Sequence, residues 1–180
     1  MQQLAVFYDA CAQVEIDEYR DYEKALGALQ DSQKFIIKGK EIPQREEKLA
    51  SLDARIRLVQ RFVEARKCVK SNPDEMIRIC NAILDQGDVE AAIRVGDVYA
   101  LLIEYFHSVA DYARAYAVIE RMRAANIILS PYLDQGMVHK IHAEMGVEVQ
   151  PEGAQGQGQW QEGDQQQGDI GEEIDEEVGH

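Results

Sequence analysis

Apolar residues recur along the first 150 positions at spacings of three and four, the period of one face of an α-helix, and turn residues punctuate the pattern. Residues 2 to 19 place Leu4, Phe7, Tyr8, Cys11 and Val14 on one face, which predicts a helix with that face inward and Tyr19 at its close. From Asp21 a second helix turns Tyr22, Ala25, Leu26, Leu29 and Ile36 inward, and Gly39 and Pro43 supply its stop and the next start. The longest helix runs from Gln44 to about Val69, with Leu49, Leu52, Ile56, Val59 and Val63 forming a narrow buried seam. Asn72-Pro73-Asp74-Glu75 then opens a helix by combining a side-chain cap, a preset proline and two acids at the positive end of the helix dipole. Met76, Ile79, Cys80, Ile83 and Leu84 are its buried positions, and Gly87 is its stop.

The pattern is strongest in the central hairpin. Asp88 is the expected cap of its first helix, whose stripe is Val95, Tyr99, Leu102, Phe106 and Val109. His107 to Ala110 reverses the chain, Asp111 caps the second helix, and Tyr112, Ala115, Tyr116, Ile119 and Met122 form the facing stripe. A small residue at Ala115, with large ones at Tyr99, Leu102 and Phe106 before it, fits a tetratricopeptide-type repeat, degenerate because Ile103 stands where a small residue is expected. Gly96 weakens a helix by ~1 kcal/mol relative to alanine, and a close helix crossing would account for it. The frames Asp21-Tyr22-x-x-Ala25 and Asp111-Tyr112-x-x-Ala115 match, consistent with an internal repeat. Ser130-Pro131 is expected to open a last helix with Leu133, Met137, Ile141 and Met145 inward and Gly146 at its end, and Val147 to Val149 is a candidate short strand with no sheet to join.

One hairpin cannot bury its own apolar face, so the fold class is all-α, with antiparallel hairpins stacked as a degenerate tetratricopeptide-like solenoid. The expected architecture is a right-handed stack of about three hairpins and a capping helix over residues 1–149. Residues 150–180 form a Gln/Gly-rich acidic tail, too poor in apolar area to offset its ordering entropy and therefore expected to be flexible.

Charge sharpens that division. Net charge is −14; residues 151–180 hold nine acids and no Lys or Arg, so −14 less −9 leaves −5 for the rest. Such a balance repels nucleic acid and anionic membrane surfaces and favours a basic or neutral protein partner. The tail has two departures from plain solvation, Trp160 in its middle and Ile170, Ile174 and Val178 at intervals of four among acids. In the body, Arg55, Arg57, Arg61, Arg66, Lys67 and Lys70 lie largely off the seam of the longest helix. Arg57, Arg61 and Lys70 are the candidate docking strip for an acidic segment, whether this chain's own tail or a partner's, and Trp160, Ile170, Ile174 and Val178 are the candidate recognition residues.

Catalytic patterns are missing. There is no Gly-rich phosphate loop between a strand and a helix, and no nucleophile with a recognisable base. His139 and His142 have no third ligand near in sequence, and Cys68 and Cys80 match no zinc module, so no cofactor or metal is expected. Cys11, Cys68 and Cys80 read as buried small hydrophobes in a reducing compartment. Neither a signal peptide nor the ~20-residue apolar run of a membrane span is present, which predicts a soluble intracellular chain and no direct membrane insertion. The non-enzyme readings are a scaffold packed permanently in a complex and a peptide-binding adaptor that reads a transient partner through a helical groove or the acidic tail.

Two motifs are more specific than a generic hairpin requires: Val14-Glu15-Ile16-Asp17-Glu18-Tyr19-Arg20-Asp21-Tyr22-Glu23-Lys24-Ala25-Leu26-Gly27-Ala28-Leu29 and Ile93-Arg94-Val95-Gly96-Asp97-Val98-Tyr99. With the acidic end, they resemble the C-terminal region of the intraflagellar transport protein 140 family, subunits of intraflagellar transport complex A. The resemblance covers residues 4 to 149, with the tail similar in character only. Members of that family are longer, with amino-terminal β-propellers and a long helical repeat region. The resemblance implies a non-catalytic part in retrograde transport along the cilium or flagellum and in ciliary import of membrane cargo. It implies partners among the other subunits of the complex, in the cytoplasm, the cilium and its base. It transfers no individual contact residue, and a monomeric fragment is expected.

Overall fold

The structure, a computed structural model, describes residues 1–39, 41–87 and 89–149. Its elements are α1 (Gln2–Val14), a π-helical turn (Glu15–Tyr19), α2 (Tyr22–Lys38), α3 (Arg45–Ser71), α4 (Pro73–Leu84), α5 (Val95–Ser108), α6 (Tyr112–Ala124) and α7 (Gln135–Met145). Each helix packs on the next in sequence, giving hairpins α1–α2, α3–α4 and α5–α6 with α7 against α6. Among the described residues there is no strand, and Val147 to Val149 is irregular chain.

Local chemistry sets most boundaries. Asp21, Asn72, Asp111 and Asp134 each accept a hydrogen bond from the backbone N–H three residues on, the geometry of a side-chain N-cap. Pro73 follows Asn72 at the first helical position, where its missing N–H costs nothing. At the other ends, Arg20, Ala110, Asn126 and Gly146 take left-handed backbone angles. The next residue's N–H then reaches back to a carbonyl of the last turn, as from Asp111 to Phe106, Ile127 to Met122 and Val147 to His142. Arg45 at the start of α3 donates to the carbonyls of Ile36 and Ile37, closing the end of α2.

One continuous core runs through the stack and includes Tyr22, Leu29, Phe62, Met76, Ile83, Leu102, Ile103, Ile119, Met122 and Ile141. On α3 the buried face is wider than the expected seam. Leu58, Phe62 and Ala65 join Leu52, Ile56, Val59 and Val63, because α3 is flanked by both α2 and α4.

Several expectations are corrected. The inward face of α1 is Ala5 and Ala12, continued by Ile16 in the π-helical turn, with Tyr8 and Cys11 half-buried, while Leu4, Phe7 and Val14 point outward. Small residues let α1 lie close on α2, where the Ser32 hydroxyl donates to the Ala5 carbonyl. The helical segment does end at Tyr19, through a π-helical turn that leaves its side chain exposed. The last helix begins at Gln135 under Asp134, not at Ser130-Pro131; residues 129–133 are a turn in which Tyr132 and Leu133 donate to the Leu129 carbonyl. Its buried end position is His142, with Met145 exposed, and Val109 is likewise exposed just past the end of α5. The expected cap Asp88 lies outside the described residues, and α5 starts at Val95 after a turn at 89–93 with the same bonding as 129–133.

Candidate functional site

Two surfaces stand out from the plain repeat. The first is a polar cluster where the α1–α2 turn, α3, α5 and the turn before α7 meet. It exists because the π-helical turn ends in Arg20 with left-handed backbone, a conformation that a non-glycine residue holds only when its surroundings fix it. The Arg20 carbonyl accepts from Arg66 at 3.1 Å, and its guanidinium reaches the Asp97 carboxylate at 3.5 Å and the Pro131 carbonyl. Asp97, nearly fully buried, also accepts from the Tyr22 hydroxyl at 2.6 Å. Burial and the neighbouring Asp97 push the Tyr22 phenol well above its ordinary range, so it remains a proton donor. The same oxygen accepts the Arg94 backbone N–H at 3.3 Å, and the Arg94 side chain donates to the Asp17 carbonyl.

Tyr132 completes the cluster. Its ring lies under the guanidiniums of Arg20 and Arg94, 5.2 and 4.9 Å from the ring centroid. It seats directly on Gly96, where a Cβ would overlap the ring. The demand for glycine is therefore made by an aromatic side chain from a later turn, not by a helix crossing. Glu104 borders a recess of about 140 Å³ beside Arg20, Arg66 and Tyr132. Burial raises its carboxyl, and the charges of Arg20 and Arg66 oppose that rise.

The two motifs singled out in the sequence are thus the two halves of one cluster: Arg20 and Tyr22 from the first, Arg94, Gly96 and Asp97 from the second. Arg66 and Tyr132 are its further members. The only sequence-level sign of this convergence was a glycine inside a helix, since the partners lie 75 and 111 residues apart.

The second surface is the outer side of α1. Leu4, Phe7 and Val14 are 45%, 59% and 49% exposed, with Cys11 between them in the same three-four register. Phe7 meets Tyr8 edge-on and Tyr8 stacks on Phe35, so the strip reaches α2 at the half-buried Phe35.

The strip Arg57, Arg61 and Lys70 does not assemble. Arg57 and Lys70 are exposed and Arg61 is half-buried, donating to Gln86 at 3.2 Å. Arg61 and Lys70 are nine residues apart, half a turn out of phase on an α-helix, so they face opposite sides. Arg55, grouped with them in sequence, is instead paired with Asp9 of α1 at 2.6 Å. Trp160, Ile170, Ile174 and Val178 lie outside the described residues.

Cys80 is buried and its thiol is pushed up to about 12 by that burial, which keeps it a neutral core group. His142 is buried too, its Nδ1 against the Val138 carbonyl and its ring edge-on to Tyr116. Among the described residues no three His, Cys, Asp or Glu side chains converge, and no helix is long and apolar enough to cross a membrane.

A family model for the C-terminal TPR domain of intraflagellar transport protein 140 matches residues 2–123, from the start of α1 to near the end of α6. The match takes in both specific motifs and every hairpin, and it spans more than half of the 180 residues. The chain therefore belongs to the family of the intraflagellar transport protein 140 C-terminal TPR domain.

Proposed function

We propose that this chain is a non-catalytic scaffold domain that holds together subunits of intraflagellar transport complex A, and that it serves retrograde ciliary transport and ciliary import of membrane cargo. The observation that supports this reading is the uncovered apolar face of α1. Leu4, Phe7 and Val14 repeat at helical spacing yet cover no part of this chain's core, the pattern of a helix awaiting another helix. In this reading residues 1–149 are the assembling body and 150–180 an acidic extension. Arg57, Arg61 and Lys70 on the body, with Trp160, Ile170, Ile174 and Val178 on the extension, serve as separate peripheral contacts, and the cytoplasm, cilium and ciliary base are the sites of action.

The test is co-purification of the tagged full chain with purified sister subunits of the complex. An apolar interface survives washing at about 0.5 M salt, where exposed charge pairs are screened. Retention at that salt, lost on Phe7→Glu, is the expected result. Failure to retain any sister subunit, or retention indifferent to Phe7→Glu, overturns the reading.

A further inference from the structure

The turn between α1 and α2 presents a second docking surface, distinct from the outer face of α1. Arg20, Arg66 and Lys67 line a cleft of about 430 Å³ together with Tyr19, Val63 and two carboxylates, Asp21 and Glu23. Tyr19 is 70% exposed, the most exposed of the large hydrophobic side chains described, and the π-helical turn is what carries it outward. The cleft's own carboxylates already have partners. Asp21 caps α2 and pairs with Lys24 at 3.1 Å, and Glu23 pairs with Lys67 at 3.0 Å. Deeper in, Asp97 is held by Tyr22 and Arg20. Arg66 spends one nitrogen on the Arg20 carbonyl and lies 5.9 Å over the Tyr22 ring. The rest of its planar donor fork has the geometry that carboxylates match two-pronged.

We propose that this cleft docks a short acidic segment of a partner protein. One carboxylate of the segment pairs with Arg66, and a second displaces Glu23 from Lys67. An apolar side chain between them lies against Tyr19 and Val63. The exchange at Lys67 costs little, because both members of that pair are about two-thirds exposed and such pairs contribute ~0–1 kcal/mol. A peptide carboxylate fits better than an extended polyanion. The cleft holds three cations and two already paired carboxylates, a small local excess of positive charge on a chain of net charge −14, which repels a phosphate backbone along the rest of its surface. This inference rests on the interaction role proposed above, but on a different surface and a different chemistry.

The test uses the full chain and two dye-labelled acetylated pentapeptides, Glu-Glu-Phe-Glu-Glu and Gln-Gln-Phe-Gln-Gln, followed by fluorescence anisotropy at about 50 mM and about 300 mM salt. The Glu peptide is expected to bind at least about tenfold tighter than the Gln peptide at low salt, with the difference shrinking at high salt. Arg66→Glu should weaken the Glu peptide at least about tenfold, whereas Arg78→Glu, the same charge change on the exposed side of α4 and outside the cleft, should stay within about twofold. Tyr19→Ala removes no buried contact and should cost several-fold, which keeps the proposal testable if Arg66→Glu disturbs the fold. Equal binding of the two peptides, no binding of either, or equal losses from Arg78→Glu and Arg66→Glu would overturn it. If sister-subunit retention at high salt is intact in that case, only the cleft is refuted and the scaffold reading stands.

Discussion

Helices α1 and α5 have apolar stripes of the same period, and the structure treats them oppositely. In α5 the stripe is the core: Tyr99, Leu102 and Phe106 are 7%, 1% and 4% exposed, enclosed by α4 and α6. In α1 Leu4, Phe7 and Val14 of the stripe are surface, and the face that meets α2 is built from Ala5 and Ala12, continued by Ile16 in the π-helical turn. Periodicity reveals that a helix has an apolar face; which face is covered depends on neighbours that periodicity does not contain. A helix with two usable faces, a small-residue one against its hairpin partner and a large-residue one left open, is suited to sit between its own fold and another.

The sharpest way to break this contrast is to truncate both stripes. Leu102→Ala should lower unfolding free energy by ~2–5 kcal/mol in denaturant titration, through lost burial and a cavity. Leu4→Ala should change it by no more than about 0.5 kcal/mol. Similar losses at the two positions would mean that the outer face of α1 is covered after all.

At the junction between the regions, Gly96→Ala should cost ~1–3 kcal/mol by forcing Tyr132 off its seat. Adding Tyr132→Ala should recover part of that loss, which a helix-crossing origin of the glycine would not allow. Tyr22→Phe deprives buried Asp97 of a hydrogen bond and should cost ~1–3 kcal/mol, with Arg20 the remaining partner.

The smallest expected effect is local. Asp111→Ala should cost ~1 kcal/mol by removing the cap of α6. Accepting the Arg114 backbone N–H, and then the Arg114 side chain, holds the Asp111 carboxyl below its ordinary range. Its contribution is therefore complete above the unfolded-state pKa and is lost as pH falls through the lowered folded value, so wild type and variant should converge in acid.

What was legible in the sequence follows the same division between local and distant causes. Asn72-Pro73, Asp21 and Asp111 announced their helices because a cap acts on backbone only three residues away. The buried positions of α2, α4 and α6 were readable because each has one strong apolar face and neighbours that cover it. Ser130-Pro131 had the local look of a helix start but leads into a turn, because Leu133 and Tyr132 are drawn to the core and to Gly96 before Asp134 caps α7. The convergence of the two motifs on the Arg20 cluster, signalled only by Gly96, was hidden for a stronger version of that reason. Its hydrogen bonds join residues 75 and 111 positions apart, and charged side chains give no periodic signal.

Thiol alkylation tests the central claim most directly, because two cysteines report on the two kinds of face. Cys11 lies half-buried at the edge of the open stripe of α1, and Cys80 is sealed in the core with its thiol pushed up to about 12. Labelling followed by mass spectrometry should show Cys11 reacting readily in the free chain while Cys80 does not, and Cys11 becoming protected when sister subunits of the complex are bound. Cys11 as resistant as Cys80 in the free chain, or equally reactive in the assembled complex, would contradict the account.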